Sequence, residues 1–332
     1  MKVNIAVVGC GRVARTHLQA IGELRDIFHL SAVVDADEQR AKEYAREFQT
    51  SYYTSLDQLY KDKTIQAVVV CLPHHLHMPV AVESMTAGKH VLVEKPMAKT
   101  LEEAQKMIDT ARATGKILMV GQSRRFFDAV RMSREMLDNI GRPFSVLYHW
   151  GSSFNESSAP PWWRSSEATG GLILPMSGSH AVDQILWYYG RKPKTVYAKI
   201  YNSKTYWEGA SEASIIMEYG ENEIATLKLS LATRPVLHQV VINGPKGTLV
   251  INHQEEKNVV GVGYLELMHD GEIVHKGLQR PTNFYYQARE FGSAILENRQ
   301  PIASGFEVIE NMKVLNAILA SAESNLPVAV ED

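Results

Sequence analysis

The chain has 332 residues, 45% of them hydrophobic and 22% charged, and its 35 Lys plus Arg against 37 Asp plus Glu leave a net charge of -2. This length and composition predict two packed globular domains and exclude disordered, collagen-like and coiled-coil classes. The charge balance gives no basis for general nucleic-acid or acidic-membrane binding, and two cysteines, Cys10 and Cys71, are too few for a disulfide framework or a four-thiolate zinc site.

The first apolar run, Val3 to Val8, is far shorter than a signal-peptide core and reads as a buried strand. No stretch approaches the roughly 20 apolar residues that cross a bilayer. A soluble protein of the reducing cytoplasm is therefore expected. Four more runs, Leu30 to Val34, Ala67 to Leu72, Val91 to Val93 and Ile117 to Val120, look like strands buried on both faces, with helical patterns between them. That alternation predicts a parallel sheet covered by helices. Helix punctuation agrees: Thr100 to Glu103 fits a capping box, and Gly88 and Gly115 stand where helices would end.

Beyond about Phe126 the texture changes to strands rich in Val, Ile, Tyr and Thr. Ala213 to Tyr219 and Ile224 to Leu231 flank Gly220-Glu-Asn, and Val240 to Asn243 and Thr248 to Asn252 flank Gly244-Pro-Lys-Gly247, as in hairpins. Helices are predicted from about Phe284 to Glu297 and Phe306 to Glu323, both expected to cover the second domain's sheet. The reading is α/β, with domains at 1–125 and 126–332, the second being α+β on a large, mainly antiparallel sheet.

Three segments carry chemistry. Gly9-Cys-Gly11-Arg12-Val13-Ala14 follows the first strand and opens a helix from Val13 to Arg25, so its backbone N–H groups suit a dinucleotide pyrophosphate. Gly9, Gly11, Arg12 and Val13 are the candidate cofactor contacts. Asp35, after the second strand, can accept from a ribose diol and would repel a 2′-phosphate, which favours NAD over NADP. Arg40 is the competing signal, readable as a phosphate partner or as a solvated helix face. Next, Glu94-Lys95-Pro96 ends a strand on the edge where open parallel sheets bind ligands, and the Lys95 ammonium could serve a reacting oxygen. Spacing alone reads it equally as a surface lysine beside a turn proline. Third, Gly170-Gly171 leads into Met176, His180 and Asp183, spaced i, i+4, i+7 as on one helix face. His180 is either the acid/base or a hydrogen-bonded structural histidine. The cluster His74, His75 and His77 lacks evident thiol or acidic partners, and no metal is expected. Trp163 and Arg164 could stack on and bind a sugar, or pack in a core or interface.

These motifs, with Pro73 and His77 in Leu-Pro-His-His-Leu-His, Gly88 to Pro96, Arg124-Arg-Phe126 and His180-Ala-Val-Asp183, resemble the Gfo/Idh/MocA family of NAD(P)-dependent oxidoreductases over nearly the whole chain. The resemblance implies an N-terminal Rossmann domain and a C-terminal domain whose open sheet mediates assembly, here as a homodimer or homotetramer. It implies that Pro73, His77 and Glu94 join the cofactor site, and that Arg124 joins Trp163 and Arg164 in the substrate site. It further implies that Lys95 and His180 match the family's catalytic lysine and histidine, acting on a hydroxyl or carbonyl of a sugar, inositol or related polyol. One departure stands out: many active members have an aspartate where this chain has Met176. His180 is therefore expected to work with Asp183, or Ser177, in its place. A dinucleotide-binding sensor without turnover and an oxidoreductase of a non-sugar substrate are the other readings.

Overall fold

The computed structural model describes residues 2–153, 161–203, 207–255, 263–278 and 282–331. The chain divides into two compact units, Met1–Ser123 with Pro281–Ile309, and Arg124–Arg280 with Glu310–Asp332. In the first, parallel strands β1 (Val3–Val8), β2 (Phe28–Val34), β3 (Ser51–Tyr53), β4 (Ala67–Val70), β5 (His90–Glu94) and β6 (Leu118–Gly121) alternate with helices α1 (Arg12–Glu23), α2 (Glu38–Phe48), α3 (Leu56–Lys61), α4 (His77–Thr86) and α5 (Leu101–Thr114). The strand order is β3-β2-β1-β4-β5-β6. Direction of winding reverses between β1 and β4, and a doubly wound sheet binds its ligand at the carboxyl ends of the strands beside that point. Every residue of β4 is buried, as strands covered on both faces require. The apolar pattern misses β3, because three residues at a sheet edge, two of them exposed and one half-buried, leave no periodic trace. At α5 the Glu103 N–H donates to Thr100 Oγ1 at 3.2 Å, as the predicted cap requires, whereas the Glu103 carboxylate accepts from the Lys99 N–H at 3.0 Å, one residue before the N-cap of a standard capping box.

The second unit holds α6 (Asp128–Glu135), α7 (Leu137–Ile140), β7 (Ser145–Ser153), α8 (Ser166–Thr169), α9 (Ser179–Tyr189), β8 (Thr195–Tyr201), β9 (Glu212–Gly220), β10 (Glu223–Ser230), β11 (Ala232–Gly244), β12 (Gly247–Glu255), β13 (Gly263–His269) and β14 (Glu272–Leu278). Both predicted hairpins are present, as β9–β10 and β11–β12. Together with β15 (Val328–Ala329), the strands form one nine-stranded sheet in the order β14-β13-β12-β11-β7-β10-β9-β8-β15. All its described pairings are antiparallel except β7 with β10. Alternation gives the sheet two different faces. On one, Tyr148, Leu227, Ile215 and Val240 are all within 1% of complete burial. Across the other runs a row set by the strand register: Met268, Val250, Val241, Leu147, Thr226, Ile216 and Tyr197. Leu147 and Ile216 in that row are 42% and 40% exposed.

Helices α10 (Thr282–Glu297) and α11 (Gly305–Ser324) lie where periodicity predicts helices, but α10 does not cover the second sheet. It packs on α1 of the first unit, with Phe284 edge-on to His17 at 5.0 Å. The approach is close at Gly292, where a Cβ would stand 2.3 Å from Ile27 Cγ2 and 2.7 Å from Phe28 Cζ. The segment after α10 joins the same unit, since the Val120 N–H donates to the Ala303 carbonyl at 2.9 Å. Helical periodicity shows that a face is apolar, not which partner covers it.

Two glycines give opposite expectations. Gly292→Ala overpacks α10 against the β-branched Ile27 and should cost about 1–3 kcal/mol, whereas Gly22→Ala, with no atom within 4 Å of its Cβ position in α1, should gain about 0.5–1 kcal/mol from helix propensity. Urea unfolding of both variants checks the pair; equal effects would contradict the packing of α10.

Candidate active site

Gly9 has φ +92°, and a Cβ on it would lie 2.5 Å from the Cys71 carbonyl oxygen, so β1 can turn this close to β4 only through glycine. Gly11 caps α1 without a side-chain acceptor and has nothing within 4 Å of its Cβ position. This leaves space over uncapped N–H groups, the chemistry a pyrophosphate needs. Arg12 is exposed beside it and Val13 half-buried. Asp35 holds the loop as well as the expected ribose position: Oδ2 accepts from the Cys10 N–H at 2.8 Å and Oδ1 from the Asp37 N–H at 2.9 Å. Arg40 leans on Asp35 and Asp37, at 3.5 and 3.2 Å.

At the end of β5, the Glu94 carboxylate is buried. His17 Nε2, from α1, lies 2.7 Å from Glu94 Oε1 and donates to it, while the Lys95 N–H donates to Oε2 at 3.2 Å. Burial pushes the Glu94 carboxyl upward, but His17, Lys95 and His77 outweigh it and hold the group below its usual value. His77 is fully buried, with Nδ1 2.7 Å from the Pro96 carbonyl and Nε2 2.8 Å from the Leu72 carbonyl. Burial lowers its pKa against the pull of those carbonyls. The ring thus ties the loop after β4 to the loop after β5. Glu94 and His77, both expected in the cofactor site, brace these loops through protein groups. Pro73 and Lys95, in the loops so braced, are half-exposed.

In the second unit, His180 stands on α9, which follows a π-helical turn at Leu174–Gly178. Pro175 has no N–H to continue an α-helical ladder here. Met176 lies within this turn, four residues before His180. Asp183 is 1% exposed, and its Oδ2 and Oδ1 accept from Arg125 Nε and Nη2, each at 2.7 Å, so the carboxylate anchors Arg125. Trp163 is 5% exposed and packs against Trp162 and Trp207, at ring distances of 6.3 and 6.4 Å, so it belongs to an aromatic core; Arg164 beside it is exposed.

Sequence reading missed the floor beneath His180. Trp150 of β7 stacks with His180 at 6.0 Å and with His238 of β11 at 5.2 Å, and Arg124 lies over its face at 3.8 Å. Trp150 and His238 are register partners, as are His238 and His253. The signal was present in the two-residue alternation of Tyr148 with Trp150 and of His238 with Val240, but only the strand pairing makes them neighbours.

Residues 3–122 match the family model described as "Oxidoreductase family, NAD-binding Rossmann fold", and residues 130–250 match "GFO/IDH/MocA C-terminal domain", together well over half of the chain. The scyllo-inositol 2-dehydrogenase (NADP(+)) of Bacillus subtilis (strain 168) is 27% identical over 90% of this chain and 89% of its own length. The 2,7-anhydro-N-acetylneuraminate hydratase of Mediterraneibacter gnavus is 26% identical over 97% of this chain and 87% of its own. Among solved structures, levoglucosan dehydrogenase in complex with NADH and levoglucosan has a TM-score of 0.88 at 19% identity, covering 100% of both chains, which shows the shared fold.

Asp183→Asn should destabilise the protein by roughly 3–5 kcal/mol, because it leaves the buried Arg125 charge without its counter-ion, while Arg125→Met with Asp183→Leu should recover much of the loss. Denaturant midpoints of the three proteins measure this. A single mutant as stable as wild type would contradict the buried Arg125–Asp183 pair as an anchor of the fold.

Proposed function

The chain belongs to the Gfo/Idh/MocA family of oxidoreductases, and on that premise we propose that it is an NAD-dependent dehydrogenase or reductase acting at a hydroxyl or carbonyl carbon of a sugar, inositol or related cyclic polyol. The observation that carries the proposal is Lys95, at the carboxyl end of β5 with its backbone held by buried Glu94. NAD(H) supplies or receives the hydride. Lys95 holds the reacting oxygen by charge-assisted hydrogen bonding, and His180 accepts or returns that oxygen's proton. Relatives named for an inositol and for levoglucosan support the substrate class. Met176, in place of a carboxylate, is the observation on the side of a non-catalytic dinucleotide sensor. The apolar row on the outer face of the second sheet supports self-association of the chain, since contiguous exposed apolar surface is rarely left to solvent.

Scored by NADH absorbance over a panel of polyols and sugars, Lys95→Met should lose at least about 100-fold in kcat with NAD affinity nearly unchanged, as a group acting on the reacting oxygen would. Normal turnover in the variant would make Lys95 structural, and equal loss of NAD binding would place it against the dinucleotide. Absence of any NAD-dependent turnover in the wild type would favour the sensor.

For the cofactor, the Asp35 carboxylate supports NAD(H), although the B. subtilis relative is named for NADP(+). Calorimetric titration should show NADH bound at least tenfold more tightly than NADPH, and Asp35→Ser should close that gap by admitting the 2′-phosphate beside Arg40. Tighter NADPH binding by the wild type would reverse the assignment.

A further inference from the structure

Glu94 is a buried carboxylate immediately before Lys95, and elements on several sides meet it. His17 of α1 donates to Oε1 at 2.7 Å, the Lys95 N–H donates to Oε2 at 3.2 Å, and Gly121 of β6 brings no side chain into the space beside Oε1. His77 of α4 and the Cys71 thiol, after β4, also act on its charge.

The donor from α1 is itself sealed from solvent. His17 is 1% exposed and stands edge-on to Phe284 at 5.0 Å, and among the described residues its Nδ1 has no hydrogen-bond partner. A second proton, on Nδ1, would be a buried donor without an acceptor, which places the ring's proton on Nε2. A neutral imidazole steadies a carboxylate without cancelling its charge. Burial favours the protonated acid, and the bond from His17 leads the groups that reverse the balance. The anion so preserved and the Lys95 ammonium favour each other's charged forms.

We infer that His17 is a positioning residue for Lys95: its Nε2–H keeps Glu94 an anion at the end of β5, and that anion keeps Lys95 an ammonium able to hold the reacting oxygen. The inference rests on the proposed function for what Lys95 does with substrate, but the charge of Lys95 can be read without one. Loss of the His17 donor lets Glu94 take up a proton, and Lys95, without its counter-charge, then titrates at lower pH. His77 and Cys71 keep their places in every variant below and contribute equally to each.

The test is competitive labelling of the full chain with a trace of acetic anhydride over a pH series, with acetylation of the Lys95 peptide read by mass spectrometry against a free-amine standard. His17→Leu should move the Lys95 titration down by about one pH unit, a tenfold change in its ionisation constant. Glu94→Gln should move it at least as far in the same direction. With Glu94 already replaced by Gln, His17→Leu should add nothing, since His17 acts through that carboxylate. His17→Gln, whose amide can present an N–H near the place of Nε2, should restore most of the wild-type titration, and His17→Asn, whose amide falls short of Glu94, should not. Thermal unfolding and NADH binding establish which variants fold, and His17→Asn stands in for His17→Leu if the latter does not. An unmoved or raised Lys95 titration in the His17 variant, or an effect of His17 that persists without Glu94, overturns the inference. On any polyol that is turned over, the alkaline limb of kcat against pH should move down in step with the labelling. A labelling shift in a chain that turns over no polyol removes the dehydrogenase and leaves the His17 role standing, whereas turnover with an unmoved Lys95 titration removes only that role.

Discussion

The bond between buried Glu94 and His17 joins the two parts of the first unit on which dinucleotide chemistry depends. His17 sits on α1, the helix whose first turn faces the glycine loop, and Glu94 ends the strand that delivers Lys95. A carboxylate out of water needs donors, and here they come from the helix on one oxygen and from the Lys95 backbone on the other. Gly121 makes room, since a Cβ there would come within 3.2 Å of Glu94 Oε1. The position of the lysine backbone is thereby coupled to the seating of α1. His77 performs the matching service one strand over, between the loops after β4 and β5.

The second unit solves a similar problem with different groups. Its sheet places a row of rings, His253, His238 and Trp150, on the inner face by register alone. Two adjacent arginines then meet opposite environments, one with a carboxylate and one among neutral groups. Adjacent positions on a chain point in different directions, so neighbours in sequence acquire unrelated electrostatics.

Much of this architecture was legible in the sequence because it rests on local rules. Doubly buried strands announce themselves as runs such as Ala67 to Val70, the Thr100 cap as a hydroxyl three residues before a glutamate, and the dinucleotide loop as glycines between a strand and a helix. What escaped depends on partners distant along the chain. Asp183 and Arg125 are 58 residues apart, and Trp150 and His238 become neighbours only through the β7–β11 register. Pro175 was visible, but whether a proline bends, ends or widens a helix is settled by the packing around it.

The return of residues 281–309 to the first unit orders events during synthesis. The six-stranded sheet is encoded by residue 121, yet the helix that packs on α1, Thr282–Glu297, and the Ala303 carbonyl that meets β6 leave the ribosome only after the whole second sheet apart from β15. Until then the apolar surface around Ile27 and Phe28 lacks its native cover. The nascent N-terminal unit therefore waits in an incomplete form, a state in which exposed apolar surface invites association or chaperone capture. A protein truncated before residue 281 should share that fate, since it would keep every strand of the dinucleotide sheet and lack the helix that closes over it.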